Sequence, residues 1–72
     1  MTKVEITRSG MITHIAYDES SKRLTLTFAK GGTYHYSDVP KHQFEAILNS
    51  ESVGKHYHSH IKGHYDHEKS DD

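Results

Sequence analysis

The stretch Leu24-Thr25-Leu26-Thr27-Phe28-Ala29-Lys30-Gly31-Gly32-Thr33-Tyr34-His35-Tyr36 decides how this chain is read. Leu24, Leu26 and Phe28 alternate with Thr25, Thr27 and Ala29, the period-2 pattern of a strand with one core face and one wet face. The two glycines mark a hairpin onto Thr33 to Tyr36. Its loop length fixes which face the tyrosines take, because a one-residue slip turns every side chain over. A two-residue loop at Lys30-Gly31 places Thr27 opposite Tyr34 and sends both rings to the wet face. A three-residue loop of Ala29, Lys30 and Gly31 places Phe28 opposite Gly32, Leu26 opposite Tyr34 and Leu24 opposite Tyr36. The second is favoured, since the first demands a positive φ at Lys30 and the second asks it only of a glycine. Tyr34 and Tyr36 are then expected on the core face, with their hydroxyls at its margin.

Working outward, Met11 to Tyr17 reads as another strand. Strict alternation puts Met11, Thr13, Ile15 and Tyr17 on one face and Ile12, His14 and Ala16 on the other. Asp18-Glu19-Ser20-Ser21 is turn chemistry, and residues 1–8 read as a lead-in or edge strand. After the hairpin, Val39-Pro40 starts a helix, with Asp38 or Val39 near its cap and Pro40 in the first turn. Phe44, Ile47 and Leu48 form its apolar stripe, and Asn49-Ser50 ends it. Ser50 or Ser52 caps a second helix, in which Val53, Tyr57, Ile61 and Tyr65 recur every four residues and Gly54 and Gly63 weaken the ends. Residues 66–72, DHEKSDD, carry no apolar anchor and are expected to fray. The expected architecture is α+β: a three- to four-stranded antiparallel β-meander followed by two short helices packed on one face.

Composition bounds the function. Seventy-two residues, 32% of them hydrophobic, make one domain of modest stability. Without cysteine there is no disulfide, thiolate zinc site or thiol catalysis. A formal charge of −1 gives no global nucleic-acid signal. No apolar run suits a membrane span or a signal peptide, so a soluble, cytoplasmic protein is the expectation.

Taken together, Ile12, Ile15-Ala16-Tyr17-Asp18, Leu24 to Phe28, Gly31, Tyr34-His35-Tyr36, Val39-Pro40, Phe44, Leu48, Ser52, Gly54, Tyr57, Ile61 and Tyr65 resemble the KTSC domain over about residues 9 to 65. That small module is named for the C-terminus of some lysyl-tRNA synthetases and also occurs as stand-alone bacterial and phage proteins. The tyrosine-x-tyrosine followed by Val-Pro, then the spaced Gly, Tyr and Ile of the last helix, carry most of the resemblance. It implies no defined catalytic activity. It suggests RNA binding, from the company the module keeps with a tRNA synthetase, and the suggestion falls on Tyr34 and Tyr36. Where many relatives have basic residues in the last helix, this chain has His56, His58, His60 and His64.

The candidate binding set is therefore Tyr34 and Tyr36 as base-stacking rings, with His35 between them on the same strand. Lys22, Arg23 and Lys30, at the hairpin ends, are the cations for the adjoining phosphates. The competing reading is that both rings complete a core that has two Phe and no Trp, and the loop argument favours it. Eight histidines invite two more readings. On a continuous helix His56, His60 and His64 stack at i+4 spacing with His67 beyond, a ladder that zinc, nickel or copper accepts. Against it stand Gly63, the lack of a placed second-shell carboxylate and a flat exposed stripe, so neither a metal nor any other cofactor is expected. Alternatively the histidines act as a charge switch: eight added protons take the formal charge from −1 to +7, so anion binding should strengthen on acidification. Catalysis is not expected, because no Gly-rich phosphate loop is present and a domain this small offers no deep pocket. The reading that results is a non-catalytic module binding RNA, tRNA or another nucleic acid weakly. The alternative is a protein-interaction module, or a homodimer formed through a sheet edge. No membrane role is expected.

Overall fold

The computed structural model describes residues 2–7 and 10–70. Met1 and Arg8 of the expected lead-in, Ser9 at the expected domain start, and Asp71 and Asp72 of the tail lie outside them. Strands β1 (Thr2–Glu5), β2 (Ile12–Asp18), β3 (Arg23–Phe28) and β4 (Gly32–Tyr36) are followed by helices α1 (Lys41–Asn49) and α2 (Val53–His56). A π-helical turn (Tyr57–Ile61) and a last strand, β5 (His67–Lys69), complete the order. Among the described residues five strands form one antiparallel sheet in sequential order, so the α+β meander with two short helices holds, with five strands where three or four were expected.

The β3–β4 register is the one the three-residue loop requires: Phe28 faces Gly32, Leu26 faces Tyr34 and Leu24 faces Tyr36. Gly31 and Gly32 take positive φ of 139° and 86°, the backbone freedom the turn needs. Leu24, Leu26 and Tyr36 are thereby buried on the face covered by the helices, with Phe44, Ile47, Val53, Tyr57 and Ile61 packed over them. Burying each such aliphatic side chain contributes about 1.5–3 kcal/mol.

Strict alternation along β2 fails at one point. The pairing with β3 slips between Ile12 and His14, so Thr13 is an extra residue in a bulge, its hydroxyl donating to the Thr27 carbonyl at 3.3 Å. A bulge shifts the phase of everything before it. Ile12, expected opposite Ile15 across the sheet, instead shares its face and is 0% exposed. His14 and Ala16 stay on the other face, in register with Thr27 and Thr25.

The polar end of the chain also departs from expectation. Instead of fraying after Asp66, residues 67–69 pair with β4, flanked by Ser37 N–H to Asp66 C=O at 3.0 Å and Ser70 N–H to Thr33 C=O at 2.8 Å. The reason is backbone chemistry rather than side-chain polarity: β4 would otherwise present an edge of unpaired groups. The His67 ring also packs near Tyr34 and Tyr36, with centroids 5.8 and 5.4 Å away.

The end of α1 at Asn49–Ser50 and the Ser52 cap are as expected. The start of α1 lies a residue later, and the second helical stretch stops at Ile61, short of Tyr65. Pro40 is the N-cap of α1, without a side-chain cap bond, because Asp38 sits in a left-handed turn at φ 56°. Ser52 caps α2 by accepting from Lys55 N–H. The four-residue spacing of Val53, Tyr57 and Ile61 outruns an α-helix, in which each such step drifts by about 40°. The wider π turn, closed by Lys62 N–H to Tyr57 C=O at 2.8 Å, absorbs that drift and keeps Tyr57 and Ile61 buried.

Two buried hydroxyl contacts tie the layers together. Tyr17 donates to the Val39 carbonyl at 2.6 Å while its ring stacks on Phe44. Tyr36 and Tyr57 join hydroxyl to hydroxyl at 2.7 Å. Among the described residues no buried side-chain polar atom lacks a partner. Tyr36→Ala is expected to cost about 3–5 kcal/mol. Tyr36→Phe and Tyr57→Phe should each cost about 1–2 kcal/mol by stranding the other hydroxyl. The double Phe variant should cost clearly less than the two together, which urea melts of the four proteins will measure; simple additivity would show the hydroxyls to be independent.

Candidate functional site

Tyr36 is 2% exposed, and burial first, then its bond to Tyr57, raises its phenol well above the ordinary range. It stays neutral and offers no ring face to a base. His35 projects to the opposite side of the sheet, where its Nδ1 meets Thr25 Oγ1 at 2.8 Å. Lys22 and Arg23 stand at the start of β3 and Lys30 beyond its end, separated by about 20 Å of strand. The expected set of Tyr34, Tyr36, His35, Lys22, Arg23 and Lys30 therefore does not assemble as one surface. Only Tyr34 and Lys30 remain together at an accessible place, with the edge of Tyr36 behind them.

That place is a cleft of about 310 Å³ between the β3–β4 turn and the end of the π turn. Phe28, Tyr34, Tyr36 and Tyr57 line it together with Met11. Phe28 stands edge-on to Tyr34 and to Tyr57, with centroids 5.5 and 5.2 Å apart, so the rings support one another as a rigid wall. Phe28 and Tyr34 are half-buried, which leaves part of each ring for a ligand to cover. The lysines and histidines in the lining are Lys30, Lys62, His58 and His67, and no carboxylate is among them.

The local sequence explains the two lysines. Each is followed by a glycine with positive φ, Gly31 at 139° and Gly63 at 82°. Both chain reversals leave a lysine on the rim, one from the hairpin and one from the helix end. The repeated Lys-Gly pair is the sequence signal that points to Lys62 as a partner of Lys30. The parts played by His58 and His67 depend on the π turn and on β5, and no local pattern announces them.

The histidine ladder is not formed. Helical structure ends at Ile61, Lys62 is extended at ψ 122°, and Gly63 turns the chain away. His56 and His60 remain adjacent, with ring centroids 4.5 Å apart, while His64 leaves the helix and His67 lies on β5. His56 Nε2 donates to Gln43 Oε1 at 3.3 Å. Among the described residues no group of three or more His, Asp or Glu is placed to hold a metal ion.

Residues 8–65 match the KTSC domain. The chain belongs to the KTSC domain family. The crystal structure of a KTSC domain protein from Yersinia pestis superposes with a TM-score of 0.92 at 28% identity, covering 96% of each chain. A lysine–tRNA ligase of Nostoc punctiforme is 33% identical over 54 residues, 75% of this chain and 10% of the ligase. A protein of Tsukamurella paurometabola is 38% identical over 47 residues, 65% of this chain and 70% of that one. This KTSC chain thus spans about a tenth of the ligase it matches. None of its helices is long and apolar enough to cross a membrane, among the described residues.

His56 gives this KTSC domain a pH dependence of its own. Burial first, and then the neighbouring His60, hold its imidazole below the ordinary histidine range. Protonation therefore favours the unfolded chain: the contribution is full above about pH 6.5 and is lost as pH falls through the lower folded value. His56→Gln is expected to narrow the drop in melting temperature between neutral and about pH 5, as thermal melts at matched salt will show; an unchanged drop would assign the acid sensitivity elsewhere.

Proposed function

We propose that this KTSC domain is a non-catalytic module that binds single-stranded RNA weakly in the cleft between the β3–β4 turn and the π turn. The observation that carries the reading is an aromatic wall facing a rim with cations and no carboxylate. Bases are planar and stack on such walls, and phosphates take lysine and protonated imidazole. Few cations contribute, so the affinity is low and salt-sensitive. The matching segments of lysine–tRNA ligases support RNA as the partner class.

The reading moves the stacking role to Tyr34 and Phe28 and the phosphate role to Lys30 and Lys62. A protein partner added at a sheet edge is less favoured. The outer strands β1 and β5 are four and three residues long and carry Lys3 and Lys69, the features by which edges resist a further strand.

Fluorescence anisotropy with a short labelled RNA tests the assignment. Affinity should fall steeply between about 50 and 200 mM salt. Lys30→Ala and Lys62→Ala should each weaken binding and lower the salt slope by about one. Tyr34→Ala should weaken it at every salt concentration, while Lys22→Ala and Arg23→Ala change little. Binding should strengthen on acidification from about pH 7.5 to 6. Salt-insensitive binding, or Lys30 and Lys62 variants equal to the parent, would remove the cleft from consideration.

A further inference from the structure

We infer that the cleft takes the last nucleotide of an RNA strand rather than a stretch from its middle. The inference rests on the single-strand reading above and names which part of the strand is held. Two observations carry it. The first is size: about 310 Å³ lies at the lower end of small-ligand sites, about 300–1,000 Å³, which is room for one base with its sugar and phosphate. The second is charge along the continuation that shares Gly63 and His67 with the cleft. Those two residues also border a neighbouring hollow whose lining includes both Asp38 and Asp66, with the imidazole of His64 beside them. Both aspartates are exposed, and no ion pair among the described residues neutralises them.

A strand passing through the cleft in that direction would bring its next phosphate against two carboxylates, and like charges at that range repel. A strand that stops in the cleft meets only Lys30, Lys62 and the two imidazoles. The cationic cleft and the acidic hollow beside it therefore act together, one to hold a terminal nucleotide and the other to refuse its continuation. The rest of the strand leaves past the exposed β3–β4 turn.

The test compares a linear RNA with a covalently closed circle of the same sequence, in the intact protein and in Asp38→Asn/Asp66→Asn. Asparagine keeps the shape of both residues and tolerates the left-handed backbone at position 38. The linear RNA is expected to bind the parent protein about tenfold more tightly than the circle, about 1.4 kcal/mol. The Asn pair should raise the affinity for the circle several-fold and leave that for the linear RNA nearly unchanged. Adenosine 5′-monophosphate and 3′-monophosphate, as competitors, show which end is held, and at least one of them should displace the linear RNA. Equal binding of circle and linear RNA, or a gap that the Asn pair leaves intact, would overturn the end-binding inference while the single-strand reading stands. Failure of both RNAs to bind would overturn the single-strand reading itself.

Discussion

A three-residue turn between β3 and β4 governs the rest of this molecule. By fixing Leu24 against Tyr36 and Leu26 against Tyr34, it sends two large rings to the helix-covered face of a chain with few other large apolar residues. The outcome is cooperative. Tyr36 reaches Tyr57 hydroxyl to hydroxyl, which locks the π turn over the sheet. Tyr34 and Phe28 are left half-buried at the open end of the same layer. Shifting the register by one residue would exchange these rings for Thr33 and His35 and dismantle both the core and the cleft.

The second wall of the cleft comes from a helix that is neither fully α nor interrupted. Apolar residues four apart ask for more than 3.6 residues per turn, and the π turn supplies it. Its cost is a less regular hydrogen-bond ladder. In return Tyr57 and Ile61 stay buried, and the chain emerges at Lys62 beside the hairpin tip. Gly63 then reverses the chain towards β5, whose His67 joins the lining. One winding defect thus sets the positions of His58, Lys62 and His67 together.

Net charge is a poor guide to such a surface. The chain is almost neutral in total, yet the lining of one small cleft holds two lysines and two imidazoles, while Asp38 and Asp66 sit in the hollow next to it. Over about 8–10 Å of screening length, a ligand senses this local separation of sign and not the sum. The open face of the sheet is different again. There His14, His35 and Lys3 surround Ala16 and the threonines, and the hydroxyls largely satisfy one another and the imidazoles.

The sequence by itself determined the α+β order of elements and the family resemblance, and it favoured, against an open alternative, the hairpin register that buries Tyr36. All of these follow from short-range facts: side-chain period, the φ that glycine permits, and the spacing of apolar residues. It misplaced Ile12, because a bulge is set by how two strands pair and leaves no mark in a single strand's alternation. It read residues 67–69 as loose, because what holds them is the backbone of β4, supplied from more than thirty residues away. It set Gly63 against a continuous stripe of His56, His60 and His64, and the chain does turn away there; but it grouped Lys22 and Arg23 with Lys30 although a strand's length lies between them. Tertiary structure alone decided which charges meet which rings. Pattern and propensity act over a few residues, whereas the cleft is assembled from four segments that become neighbours only after the sheet and its helical layer have formed.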